Sequence, residues 1–187
     1  MSESQRIRRQ QTLREAEGYL DLITVFGDRW PCHPDHRDKL AERVLSMLGK
    51  IEMQPGAEAQ VLMLQGQALR AMQRYVEAAA KFNTAAALDD SHVPSRLALG
   101  WCYKRCRRLD LAIQALEEAM EIAPHTAIIH YNLACYWSLA GNAKIALIYL
   151  AQAIEMQPKY RDLVGKERDF DNVRQNPNFL ALTSVIV

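Results

Sequence analysis

Residues 99–108, "LGWCYKRCRR", hold the side chains best suited to chemistry. Cys102 and Cys106 stand four apart, Trp101 and Tyr103 flank the first, and Lys104, Arg105, Arg107 and Arg108 fall within five positions. Cysteines at i and i+4 share a helix face and could supply two zinc ligands. A structural site needs four, and no matching second pair lies nearby. A second cluster, Cys32, His33, Asp35 and His36 in "CHPDH", puts three good ligands into five residues of a loop whose turns Pro31 and Pro34 set. Its other reading is a polar inter-helix loop, since such a set lacks a distant fourth ligand. Metal at Cys32, His33 and His36 stays an open alternative, and no metal or cofactor is assigned. The basic run could touch nucleic acid, but a net charge of +1 weighs against that, because nucleic-acid-binding domains are strongly basic.

The elements that would carry these residues are helices. Ala, Leu, Gln, Glu and Arg dominate, while Gly (8) and Pro (7) are sparse among 187 residues. Apolar residues at 49% and charged residues at 24% fit an ordinary soluble domain with one continuous core. No apolar run reaches the roughly 18 residues needed to span a bilayer, so no membrane span is expected. The opening "MSESQRIRRQQTLREAEGYL" lacks the apolar stretch of a secretory signal. Four cysteines (Cys32, Cys102, Cys106, Cys135) make no disulfide scaffold, and the expectation is a reduced, cytoplasmic protein.

Offsetting the sequence by 34 brings like residues into register. Gly66, Gly100 and Ala134 form a column of very small residues; Ala78, Ala112 and Ala146 form a second, and Ala85, Ala119 and Ala153 a third. Phe82, Leu116 and Leu150 give a bulky column, and Leu69, Tyr103 and Trp137 another. Pro124 and Pro158 close two copies, where the first has Asp90. These columns predict helical hairpins. Small residues let two backbones approach, bulky ones fill the groove toward the next hairpin, and proline ends the second helix. Stacked, such hairpins would wind as a right-handed superhelix.

"ALGWCYKRCRRLDLAIQALEEAMEIAP" and "HYNLACYWSLAGNAKIALIYLAQAIEMQP" carry the small, aromatic, Ala and Pro columns in order, and this pattern resembles the tetratricopeptide repeat family. The resemblance runs through about 59–92, 93–126 and 127–160 and implies an all-α, α-α superhelical fold. Arg96, His130 and Gln65 depart from it, standing where the family has apolar residues. Residues 1–56 read as an N-terminal helical extension or a degenerate repeat, with helices in "TLREAEGYLDLITVFGD" and "HRDKLAERVLSMLGKIEMQP". Residues 57–160 are the three repeats, and 161–187 a capping segment. "KYRDLVGKERDFDNVRQNPNFLAL" resembles the closing segment of bacterial arrays, with Asn176-Pro177 as a helix start and Phe179, Leu180 and Leu182 placed to cover the last repeat. Eight or nine helices are expected.

The resemblance implies a concave groove lined by the first helix of each hairpin. Carried across by register, the lining is Met63, Leu64, Gln67, Arg70 and Ala71; then Leu97, Ala98, Trp101, Lys104 and Arg105; then Tyr131, Asn132, Cys135, Ser138 and Leu139. Several of these are equally readable as core, since an apolar helical stripe serves packing. Trp101 and Tyr131 are expected to be exposed, because the Gly66, Gly100 and Ala134 column already accounts for the hairpin interior. Cys102 reads as a buried small thiol. Met63, Leu97, Trp101 and Tyr131 would anchor an amphipathic helix or apolar peptide. Arg70, Lys104, Arg105 and Arg108 would form a basic rim favouring an acidic partner, or would serve only as cations placed at helix C-termini. The Lys/Asn/Arg clamp by which some family members hold chaperone C-termini is not built here.

No phosphate-binding glycine loop, G-x-S-x-G elbow or H-E-x-x-H helix is present, and the expectation is no enzyme. The leading reading is a bacterial adaptor or scaffold that binds another protein. A type III secretion-like or other client chaperone is the second, and a self-associating subunit, with a homodimer as one form, the third. The groove would be open, or filled by the N-terminal helices or the C-terminal tail "LTSVIV".

Overall fold

The structure, a computed structural model, describes residues 2–29, 33–52 and 58–184, without the side chains of 25–29. Every regular element among them is helical: α1 (Glu3–Arg29), α2 (Pro34–Leu48), α3 (Glu58–Ala71), α4 (Tyr75–Leu88), α5 (Val93–Arg105), α6 (Leu109–Ile122), α7 (Ala127–Leu139), α8 (Ala143–Met156), α9 (Lys159–Val164) and α10 (Pro177–Thr183), with a 3₁₀ turn at Arg168–Phe170. The eight or nine expected helices become ten among the described residues, because the closing segment forms two short helices around that turn. No described helix is long and apolar enough to cross a membrane. The chain divides into two compact units, Met1–Cys102 and Tyr103–Val187.

In the first unit, α1 buries Leu13, Ala16, Leu20 and Ile23, spaced three and four apart as one stripe of an amphipathic helix. They join Ala41, Val44 and Leu48 of α2 and Val61, Leu64 and Ala68 of α3 in one cluster, so both N-terminal helices pack on α3. Gln60 Nε2 donates to Glu17 Oε1 at 3.1 Å across that junction. Residues 34–36, read from the sequence as loop, begin α2: His33 caps it, its Nδ1 accepting from the Asp35 amide at 3.4 Å, and Pro34 opens the first turn. Between α3 and α4, Gly66 sits against the fully buried Phe82. A Cβ at Gly66 would lie 2.5 Å from Phe82 Cε1, so this position admits only glycine at the present spacing.

The turn from first to second helix repeats in detail. Gln73 (φ 60), Arg107 (φ 59) and Gly141 (φ 79), spaced by 34, all adopt the left-handed conformation. The amides of Arg74, Arg108 and Asn142 donate to the carbonyls of Leu69, Tyr103 and Trp137 at 2.9 Å. Those of Gln73, Arg107 and Gly141 donate to Arg70, Lys104 and Ser138 at 3.0 Å. This is the Schellman closure, which satisfies the last carbonyls of the first helix and starts the second one residue later. Accordingly α4, α6 and α8 begin at Tyr75, Leu109 and Ala143, in the same 34-residue register.

In the second unit α7 packs between α6 and α8, α9 and α10 lie against α8 and each other, and the 3₁₀ turn lies on α7. Ala112, Ala119, Ala146, Ala153, Leu116 and Leu150 are buried, as their columns predict. His130, at an apolar position of the pattern, is buried with Nε2 donating to the Pro124 carbonyl at 2.7 Å and Nδ1 3.0 Å from Gln152 Oε1. α10 starts as expected, Asn176 Oδ1 accepting from the Asn178 amide at 2.9 Å with Pro177 in the first turn. Its apolar residues do not all cover the repeat, however. Phe179 is buried, while Leu180, about 100° further round the helix, is 51% exposed.

Candidate functional site

The candidate residues lie on α3, α5 and α7, with Arg108 at the start of α6, and the structure distributes them unevenly between core and surface. On α3, Met63 and Leu64 are buried, whereas Gln67 and Arg70 are half-buried. Leu64 belongs to the core shared with α1 and α2, and with Met63 and Gln67 it also lines a shallow pocket. On α5, Leu97 and Trp101 are half-buried. The Arg70 guanidinium lies 5.5 Å above the Trp101 ring, and Tyr75 meets that ring edge-on at 5.5 Å. Cation, indole and phenol form one cluster: the ring's electron-rich face favours the guanidinium above it, and the edge-on phenol is a preferred aromatic geometry. The expected exposure of Trp101 is thus met in part.

Tyr131 on α7 departs from expectation. It is 6% exposed, stacked on Tyr160 with centroids 4.7 Å apart and met edge-on by Phe170 at 5.8 Å. Phe170 is itself fully buried and leans on Phe179 at 5.7 Å. The residue before it, Asp169, is ion-paired with Lys104, whose ammonium also stands 5.6 Å from the Tyr136 ring. Asn172 Nδ2 donates to the Ser138 carbonyl at 3.3 Å, and Arg174 Nη2 donates to the Glu167 carbonyl at 2.9 Å, which holds the turn closed. The closing segment therefore covers the α7 face from above, with an acid on Lys104 and a ring on Tyr131. Nothing in the local pattern of residues 169–171, Asp-Phe-Asp, assigns them this seat. The available signal was their complementarity in charge and type to Lys104 and Tyr131.

Cys135 lies beneath this cover, 2% exposed. Burial, then the nearby Asp169 and Glu167 carboxylates, push its thiol well above the ordinary range, so it stays protonated and is a poor nucleophile. Burial likewise raises Tyr131. Cys135 Sγ and one oxygen each of Glu167 and Asp169 lie within 4.8 Å of one another, a set of metal-ligand types. The Lys104 ammonium, paired with Asp169, stands where it neutralises that charge. Of the other metal candidates, His33 and His36 lie with ring centroids 5.9 Å apart, and Cys32 lies outside the described residues. Asn132 is half-buried.

The basic rim is smaller than its count of cations. Arg108 donates to Asp110 at 3.1 Å and 3.2 Å and holds that carboxyl below its ordinary value. Arg74 likewise donates to Glu77 at 2.7 Å. Each of these pairs closes within its own turn. Lys104 is engaged by Asp169, Arg70 lies over Trp101, and Arg105 is exposed.

Residues 69–134, from the last turns of α3 into α7, match the family description "Tetratricopeptide repeat". These residues are tetratricopeptide repeats. Among solved structures, MamA is similar at 18% identity and TM-score 0.59, covering 82% of this chain and 95% of that one. MamA 41-end from Desulfovibrio magneticus RS-1 is 19% identical with TM-score 0.60, over 90% of this chain and 93% of that one. YrrB, described as a TPR protein with an unusual peptide-binding site, is 20% identical with TM-score 0.58, over 81% and 75%. At these identities the likeness establishes the tetratricopeptide fold. No curated protein matches the sequence.

Proposed function

We propose that this tetratricopeptide protein is an adaptor that takes a peptide or amphipathic helix of another protein on the first-helix faces of its repeats. One observation carries the reading. Trp101 is held half-exposed at a lining position by Arg70 and Tyr75, although the hairpin interior is already filled by the small-residue column. Rigid aromatics beside an arginine are the side chains that dominate binding energy at protein interfaces. Leu97, one turn before Trp101 on α5, and Gln67, one turn before Arg70 on α3, are likewise half-buried and offer an apolar and an amide side chain. The description of YrrB as peptide-binding supports the same use of the fold.

The test is a paired capture from the native lysate read by mass spectrometry, with wild type and a Trp101→Ala, Arg70→Gln double variant as baits. Circular dichroism must first show both folded. A protein retained by wild type and lost by the variant supports the reading. Equal recovery on both moves the interface off this face.

A further inference from the structure

The closing segment displays what one first-helix face accepts. Asp169 pairs with Lys104 in the last turn of α5, and the next residue, Phe170, packs its ring against Tyr131 of α7. The 34-residue register relates that seat to a second one. Lys104 corresponds to Arg70, Tyr131 to Leu97 and Cys135 to Trp101. The two seats differ in cover. Tyr131 and Cys135 are 6% and 2% exposed under the closing segment, whereas Leu97, Trp101 and Arg70 are all half-buried. A cation thus stands at the same register in both, and an apolar side chain stands where the ring is received.

We propose that the face formed by Arg70, Leu97 and Trp101 docks a segment of another protein in which a carboxylate side chain precedes an aromatic one. The carboxylate sits on Arg70 and the ring on Leu97 and Trp101, as Asp169 and Phe170 sit on Lys104 and Tyr131. The inference rests on the adaptor reading and adds the chemistry of the partner. Arginine suits the task because its planar fork can take both oxygens of a carboxylate while remaining stacked on an aromatic face. The larger Trp101, at the register of Cys135, offers the incoming ring an aromatic wall in place of a thiol.

The probe is a fluorescein-labelled peptide of residues 165–174, GKERDFDNVR, read by anisotropy against the full chain. Saturable binding is expected, weakening roughly tenfold for Arg70→Gln, the loss of one charge-assisted contact. A similar loss is expected when the peptide's first aspartate is replaced by asparagine or its phenylalanine by alanine. Arg70→Lys should restore only part of the affinity, since it keeps the charge without the planar fork, and Lys104→Gln should leave it unchanged. Absence of saturable binding to the folded wild type at millimolar peptide overturns the proposal. So does affinity lost on Lys104→Gln but intact on Arg70→Gln, which would mean that the peptide exchanges into the closing segment's own seat. A partner lost on the Trp101→Ala, Arg70→Gln bait without any peptide binding rejects the acidic–aromatic chemistry and leaves the adaptor reading standing.

Discussion

Two kinds of residue behave against their type, and both give measurable consequences. Gln73 and Arg107 occupy left-handed positions that Gly141 fills in the third repeat, and a side chain there costs about 1 kcal/mol. Gln73→Gly and Arg107→Gly should each stabilise the fold by about 0.5–1 kcal/mol in urea unfolding, and Gly141→Ala should destabilise it by ~1 kcal/mol. Cys135 is held protonated by burial and by Asp169 and Glu167. Its folded pKa is raised, so its contribution to stability is complete below the unfolded thiol's pKa and is lost as pH rises above it. Stability should therefore fall above about pH 8.5, and Cys135→Ala should flatten that fall. In the native protein half-exposed Cys106 should react with iodoacetamide before buried Cys102 and Cys135, as peptide mapping would show.

At the scale of elements, close approach of α3 and α4 depends on the missing side chain at Gly66. Gly66→Ala pushes a methyl into the buried Phe82 ring and should cost about 1–3 kcal/mol, read from the shift of the urea midpoint. The closing segment depends in the same way on Phe170, fully buried among Tyr131 and Phe179. Phe170→Ala should cost about 3–5 kcal/mol and speed labelling of Cys135 beneath it. Unchanged labelling would show that the segment does not shield that thiol.

What was legible in the sequence follows the same division. The 34-residue register gave the helices and the buried columns, because small and bulky residues at fixed spacing are required by hairpin packing itself. The start of α10 was readable for a local reason, Asn176 and Pro177 satisfying the first turn. The burial of Tyr131 was not readable, since it depends on Phe170 arriving from 39 positions along the chain, a contact that no local pattern encodes. The packing of Leu64 shows the same dependence: the register marks it as first-helix lining, and α1 and α2, which lie outside that register, pack onto it. Arg108 looked like a free rim charge until its own turn paired it with Asp110.

At the scale of the whole molecule, the most exposed large apolar side chains within the repeats stand on second helices, Val76 and Leu88 on α4 and Ile148 on α8, whereas the half-buried pairing of Arg70 with Trp101 stands on first helices. The central claim is that binding uses those first-helix faces. The most direct measurement is site-specific photocrosslinking in the native host, with a benzophenone amino acid placed singly at Gln67, Leu97, Val76 or Ile148. Val76 and Ile148 are exposed apolar positions on second helices, 75% and 51% accessible, and so control for exposure alone. The account predicts a common crosslinked partner from positions 67 and 97 and none from 76 and 148. A partner captured from 76 or 148 and absent from 67 and 97 would contradict it.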